Sequence, residues 1–397
     1  MPKQWWFVLI LGFIGFVTSF GAHIVAVNLP IYAEQISVGV AIIGILIAAY
    51  DFAEIVAKPI FGALADRRGM KQTLLAGIAL FTLASLAYPV IDPRLLIVVR
   101  FVQGVGAAAL SAVSLALVGV YFTEQRGRAY GIYNAIKGAG YVLSPIIGGL
   151  IVLKTNFATI FLAAAAIGAI AFLLALFLPS PVRKPNDVFD DDDLSLKSFI
   201  AVFRQRDIRP WYIVMVVNMF FVGILFSFLP VRVHNLHYDP LTTGLILTTA
   251  TTSYLLIQPL AGVLADRFNA ATTVRIGLLL SAIAIILVPF VQDVALIIVS
   301  IMAGAGIGTV WTNTDTLIST LAKSGQLGAT MGAAGSFKEL GDMLGPLLIG
   351  FLSQAFGLTI GFVVCGIFGL VSILLIKPIQ PAQHMPSNQI QNLGRTL

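Results

Sequence analysis

Gly62-Ala-Leu-Ala-Asp-Arg-Arg-Gly-Met-Lys71 decides the fold. The stretch lies between two long apolar runs, 38–64 and 72–91, and holds four charges in ten residues. Gly262-Val-Leu-Ala-Asp-Arg267 repeats its first six positions with one substitution, 200 residues on. A proline precedes each copy at the same distance, Pro59 and Pro259. Working outward, Pro30 matches Pro230, Gly44 matches Gly244, and Pro89 matches Pro289. Gly104-Val-Gly106 answers Gly304-Ala-Gly306 at the same offset. Past the next loop the offset becomes 201, pairing Gly131 with Gly332, Lys137 with Lys338, Gly140 with Gly341 and Pro145 with Pro346. Register held over that length points to a duplicated chain.

The composition says in what solvent the chain folds. Of 397 residues, 58% are hydrophobic and 11% charged, where an ordinary soluble domain carries about 25% charged residues. A bilayer accommodates that apolar surface, and a helix of about 20 apolar residues crosses its ~30 Å core. Backbone groups must be satisfied within each segment, which favours helices, and the runs lack the period-two alternation of a barrel. The net charge of +6 does not indicate nucleic acid, because the basic residues are sorted by loop and form no stripe with aromatics. Cys365 is the single cysteine, so no intrachain disulfide forms and no cysteine metal motif exists. His23, His234, His237 and His384 read as polar interface residues and not as metal ligands. Gly104-Val-Gly106 lies mid-span without a strand–turn–helix context, so close helix packing explains it. No Walker glycine-lysine loop occurs, and no ATP use is expected.

The apolar runs give twelve spans: 5–33, 38–64, 72–91, 94–121, 127–153, 156–179, 210–233, 240–265, 271–291, 294–322, 327–355 and 357–377. The first resembles a signal peptide at its start but continues to Tyr32, and is read as an uncleaved span. The expected organisation is a six-helix bundle over 1–179, a cytoplasmic linker over 180–209 with the acidic run Asp190 to Asp193, a second bundle over 210–378, and a disordered cytoplasmic tail over 379–397. Seventeen lysines and arginines fall on the side of the termini, against Arg94, Lys154 and Arg232 on the other. That asymmetry places both termini in the cytoplasm of a cell (inner) membrane. Six spans per repeat give the halves one topology and relate them by an axis along the membrane normal, the arrangement of a rocking carrier.

These motifs resemble the major facilitator superfamily along nearly the whole chain. The 62–71 stretch fits that family's loop signature between helices two and three, with Met70 where a basic residue is usual. Arg100-Phe-Val-Gln-Gly104-Val-Gly106 fits its helix-four signature. Gly131, Gly140, Pro145, Gly148 and Gly149 fall at the spacing of the antiporter signature on helix five, with Ser144 replacing one glycine. The second half carries a degraded copy in Gly332, Gly341, Gly345, Pro346 and Gly350, and Asn28-Leu-Pro30 resembles a helix-one pattern. The resemblance is to the twelve-helix drug:proton antiporters. It implies no cofactor beyond a transmembrane proton gradient, and a monomer in the bilayer whose partners are a small substrate and protons. It also implies a conformational latch at Gly62, Asp66, Arg67, Gly69, Lys71, Asp266 and Arg267, with Asp66 near the N-terminus of helix eleven, where the dipole favours negative charge.

Charges inside spans cost roughly 2.5–3.5 kcal/mol each at mid-bilayer and need partners or a wet cavity. Asp51, Glu54 and Lys58 share one face of helix two at i, i+3 and i+7. Arg100, Lys137, Asp315, Lys338, Glu339 and Asp342 lie in later spans. Local pairing is expected for Glu54 with Lys58 and for Lys338 with Asp342, both at i, i+4. That leaves Asp51, Arg100, Lys137, Asp315 and Glu339 unpaired. In the family helix two packs on helix eleven, which lets Asp51 or Glu54 reach Lys338. A carboxylate held by lysine stays ionised, and one released into an apolar wall takes a proton. Asp51, Glu54 and Arg100 are therefore the expected proton-coupling residues. Arginine does not deprotonate, so Arg100 would tune a neighbouring carboxylate.

Thr248, Thr249, Thr251, Thr252 and Ser253 form a hydroxyl patch on helix eight, which Lys137 would face. Trp311, Asn313, Thr314 and Asp315 form another on helix ten, which lines the cavity in the family. Phe220, Phe221, Phe226 and Phe228 add aromatic surface. Either these groups line an amphiphilic pocket, or the threonines pack helices and the phenylalanines face lipid. Asn28, Lys137, Trp311, Asn313, Asp315 and Lys338 are the expected cavity residues. The expected function is export of a small hydrophobic or amphiphilic, drug-like compound in exchange for protons. The alternative is a carrier of an anionic metabolite or sugar, with Lys137, Lys338 and Arg100 as the anion site. No catalytic cluster suggests an enzyme.

Overall fold

The computed structural model describes residues 5–35, 39–122, 126–180, 207–322 and 327–376. The expected 180–209 linker falls almost wholly, and the 379–397 tail entirely, outside the described residues. Among the described residues twelve helices follow in order: α1 (Trp5–Gln35), α2 (Val40–Arg68), α3 (Met70–Ala87), α4 (Leu96–Tyr121), α5 (Arg126–Lys154), α6 (Phe157–Leu176), α7 (Arg209–Asn235), α8 (Pro240–Phe268), α9 (Ala270–Leu287), α10 (Asp293–Leu321), α11 (Leu327–Phe356) and α12 (Leu358–Ser372). The first ten are long and apolar enough to cross a membrane, while α12 has only 15 helical residues. α11 carries Lys338, Glu339 and Asp342 within its run.

The packing repeats with a shift of six. In the first half α1 packs on α5, α2 on α4, and α3 on α4 and α6; in the second, α7 packs on α11, α8 on α10, and α9 on α10 and α12. Between halves α2 meets α11 and α5 meets α8. A shift of six exchanges those two seams, as a twofold between bundles requires. α7 is buried almost all round, with 20 of its 27 residues enclosed, as an apolar helix at a bundle centre should be. Leu256, Leu260 and Val263 on α8 and Leu83 and Leu86 on α3 are exposed, which suits a lipid-facing surface.

The turn within Gly62–Lys71 has a backbone reason for its spacing. Gly69 alone separates α2 from α3, at φ 100°. Asn269, its counterpart, separates α8 from α9 at φ 96°. Glycine adopts positive φ without penalty and asparagine is among the few other residues that tolerate it. Each N–H donates to the carbonyl four residues back, Ala65 and Ala265. At the opposite end Asp239 caps α8, accepting from the N–H groups of Leu241 and Thr242 and from the Thr242 hydroxyl. The Thr242 bonds hold its carboxyl below the usual carboxylate range.

Glycines record where the bundles touch. At the end away from the 62–71 loop, a Cβ on Gly44 would run into the Pro346 carbonyl, and one on Gly244 into the Pro145 carbonyl. Gly149 likewise abuts the Pro240 carbonyl. At the loop end, Gly62, Gly131, Gly262 and Gly335 have nothing within 4 Å of such a Cβ. Both seams are therefore closed at the far end and slack at the loop end.

Candidate functional site

A cavity lies between the bundles, lined from α1, α2, α4, α5, α7 and α11. Its empty space, counted out to open solvent, is about 610 Å³. An aromatic compartment adjoins it through shared walls at Tyr141 and Phe226, and continues along Thr251, Tyr254, Ile307 and Trp311.

The duplication explains why the two chambers differ. Asp51 and Glu54 on α2 occupy the positions that Thr251 and Tyr254 hold on α8. Glu339 and Asp342 on α11 answer to Gly138 and Tyr141 on α5. The α2–α11 seam is thus charged, and its symmetry mate, α5–α8, is aromatic. A ladder of rings joins the chambers, with centroids 4.5 Å apart for His23 and Tyr141, 6.3 Å for Tyr141 and Tyr254, and 5.4 Å for Tyr254 and Trp311.

At the charged seam Lys58 bridges the bundles. Its Nζ donates to Glu54 Oε2 at 2.9 Å and to Glu339 Oε1 at 2.5 Å. The local Glu54–Lys58 pair is present, but the cross-seam contact runs from the α2 lysine to the α11 glutamate, not from an α2 carboxylate to Lys338. Lys338 does not pair with Asp342 either: it donates to Asp315 Oδ2 at 2.7 Å and lies 4.6 Å from the Trp311 ring centre. Trp311 and Asp315, one turn apart on α10, offer a ring face and a carboxylate together, a better site for an ammonium than one carboxylate on its own helix.

Asp51 and Asp342 are left without a bonded cation among the described residues. Asp51 is 6% exposed, and its Oδ2 is buried with no hydrogen-bond partner. Arg100 acts on Asp51 only through space. Its guanidinium donates to Gln103 Oε1 at 2.9 Å and to the Ala22 carbonyl at 3.3 Å, and lies over the Tyr50 ring. Gln103 in turn donates to Ser85 and accepts from Tyr88, so a buried polar network anchors α4 to α3 and fixes the arginine.

The remaining sequence expectations scatter. Lys137 lines the cavity. Asn28 does not: it donates to the Ile24 carbonyl on its own helix and packs on Gly148. Asn313 also lies away from it, donating to the Ala261 and Thr309 carbonyls and tying α10 to α8. In both cases a backbone acceptor satisfies the carboxamide, which removes the need for a wet cavity. Trp311 faces the aromatic compartment, while Asp315 and Lys338 sit behind it as a pair. The hydroxyls of Thr248, Thr249, Thr251 and Ser253 donate to backbone carbonyls, Thr248 across the seam to Val142. The four α7 phenylalanines are all buried, so none faces lipid, and Phe226 alone among them lines both chambers.

Of the latch set, Arg67 and Arg267 are exposed and the side chains of Asp66 and Asp266 lie outside the description. Lys71 is not directed at α11: it donates at 2.8 Å to the Leu176 carbonyl at the end of α6, where the helix dipole favours a cation. Along the antiporter motif, Gly140 and Gly148 pack on α1, and Gly149 and Pro145 meet α8, while Gly131 is open. His23 and Tyr141 belong to the cavity without having stood out in the sequence. The repeat offset was the available signal, since it sets Tyr141 opposite Asp342. His23 makes a 2.7 Å bond from Nδ1 to the Ser19 carbonyl, which leaves Nε2 as the acceptor of the neutral ring.

Comparison with known proteins agrees with this architecture. The model of the Major Facilitator Superfamily matches residues 11–233 and 211–395. The riboflavin transporter RibZ of Clostridioides difficile (strain 630) is 28% identical over 319 residues, covering 68% of this chain and 70% of its own. The quinolone resistance protein NorA of Staphylococcus aureus (strain COL) is 24% identical, covering 89% and 90%. Among solved structures, the nucleoside transporter NupG superposes with a TM-score of 0.79 at 14% identity, covering 93% of this chain and 98% of that one.

Proposed function

This chain belongs to the major facilitator superfamily, and on that premise we propose that it exports a small hydrophobic or amphiphilic compound in exchange for protons. It is an integral membrane transporter of small molecules and not an enzyme. The observation that carries the proposal is one cavity with a charged wall at α2–α11 and an aromatic wall at α5–α8, with Asp51 buried and unpartnered in the charged wall. An aromatic cargo lays its rings along Tyr141, Phe226, Tyr254 and Trp311 and presents its polar group to the charged seam. Relatives named for quinolone resistance and riboflavin transport support a cargo with a ring system.

With the termini in the cytoplasm, the described conformation loads from the cytoplasmic side. A carboxylate buried without a partner is neutralised by a proton, and one reached by water or a cation releases it. Cargo entering from the loop end displaces the proton at Asp51. After the bundles rock, a proton from the far side displaces the cargo. The Gly62–Lys71 loop and its copy, through Asp66 and Asp266, close the cytoplasmic end in the other state.

The second reading, a carrier of an anionic metabolite or sugar, draws support from Lys137. It lines the cavity and makes no hydrogen bond or ion pair among the described residues. Proteoliposomes carrying a pH gradient separate the two. We expect gradient-driven uptake of lipophilic fluorescent cations, lowered at least tenfold in Asp51→Asn while substrate binding persists. Anion uptake lost in Lys137→Met would support the second reading. Unchanged pH coupling in both Asp51→Asn and Glu54→Gln would remove these carboxylates from the mechanism.

A further inference from the structure

The charged seam brings together three carboxylates that a proton relay does not need in such number. One oxygen each from Asp51, Glu339 and Asp342 lies within 4.8 Å of the other two. Asp51 comes from one bundle and the other two from its mate. Asp51 Oδ2 is fully buried and has no hydrogen-bond partner, so an acceptor with nothing to accept from sits at the seam. Glu339 gives Oε1 to Lys58.

The donor chemistry and charge select the ligand. Three carboxylate oxygens within 4.8 Å of one another suit a hard, oxygen-preferring cation. An all-carboxylate set disfavours zinc and copper, which prefer nitrogen and sulfur donors. Glu54 adds a fourth acid to this wall of the cavity, against Lys58, Arg100 on α4 and Lys137 on α5. With every group ionised, four acids face three cations. Among the described residues only Lys58 makes an ion pair at the seam itself, so the local deficit is greater. His23, Tyr50 and Tyr141 complete the surroundings.

We propose that the α2–α11 seam is a binding site for a hard, oxygen-preferring divalent cation, with Asp51, Glu339 and Asp342 as its protein ligands. Because the ligands come from both bundles, the ion ties the bundles together and holds the conformation described. Protons compete for the same oxygens, so cation occupancy falls as pH falls. The site uses Asp51, as the proposed export reaction does, but does not depend on what is exported.

Equilibrium dialysis of the purified, chelator-treated full chain against radiolabelled calcium tests it. At about pH 8 we expect saturable retention that is released near pH 5.5. Asp342→Asn and Glu339→Gln, each eluting as a monodisperse folded protein, should weaken retention at least tenfold. Asp293→Asn, at the distant N-terminus of α10, should leave it unchanged. The proposal is overturned if folded wild-type protein retains no calcium saturably, or if both seam variants retain it as wild type does. Protein that binds no calcium yet exchanges protons for a lipophilic cation overturns this inference and leaves the export reading standing. Protein that binds calcium and moves no protons sinks the export reading and leaves the site.

Discussion

Leucine at Gly44 or Gly244 is expected to reduce transport more than tenfold by stopping the bundles from meeting at the far end. A Cβ at either position already runs into a backbone carbonyl of the other bundle, Pro346 or Pro145. Backbone cannot swing aside as a side chain can, and overpacking of this kind typically costs about 1–3 kcal/mol even where side chains give way. Each 1.4 kcal/mol is a factor of ten in population or rate. Leucine at Gly62 or Gly262 meets open space in this conformation and obstructs only the opposite one. The two pairs should therefore both slow transport while biasing the protein in opposite directions. Cysteines introduced at each end and labelled with a membrane-impermeant maleimide read that bias. Gly44→Leu should raise labelling at the far end and Gly62→Leu at the loop end. Equal labelling patterns in the two variants would mean that the seams do not gate the cavity.

Lys58→Met is the second large effect. Among the described residues Lys58 is the one cation bonded to both Glu54 and Glu339, and without it two carboxylates face each other across the seam. Breaking a buried pair typically costs 3–5 kcal/mol. The lysine side chain here is 23% exposed, so solvent screening reduces that figure. We expect pH-driven exchange to fall at least tenfold with the protein still folded. Glu339→Gln should be milder, because Lys58 keeps Glu54. The double variant Lys58→Met/Glu339→Gln should recover part of the loss, since the facing carboxylates are no longer both charged. Wild-type exchange in Lys58→Met would show that the bridge carries no weight in the cycle.

The duplication made the fold legible. Matching prolines and glycines at a constant offset gave six helices per half, and long apolar runs gave each span to within a few residues. Gly69 and Asn269 mark why the two copies share a turn. The charges were legible as a set but not as pairs. A sequence locates Lys338 on one helix face, and the nearest acid on that face is Asp342. Only three-dimensional packing brings in Asp315 from α10 and leaves Asp342 to face Asp51. The same limit applies to Asn28 and Asn313, whose side chains find carbonyls that no linear pattern reveals. Tyr141 and His23 look like ordinary span residues until the seam between α5 and α8 places them around an opening.

The central claim is that two bundles tilt about this cavity, opening one end as they close the other. Cys365 is the single cysteine and is buried, so a Cys365→Ala background accepts spin labels at chosen sites. Labels at Arg67 and Arg267 report the loop end, and labels at Arg94 and Gln292 the far end; all four positions are exposed. Electron–electron distance measurements in lipid nanodiscs at about pH 5 and pH 8 should show the two distances changing in opposite directions. Distances that both stay fixed, or that lengthen and shorten together, would contradict the account.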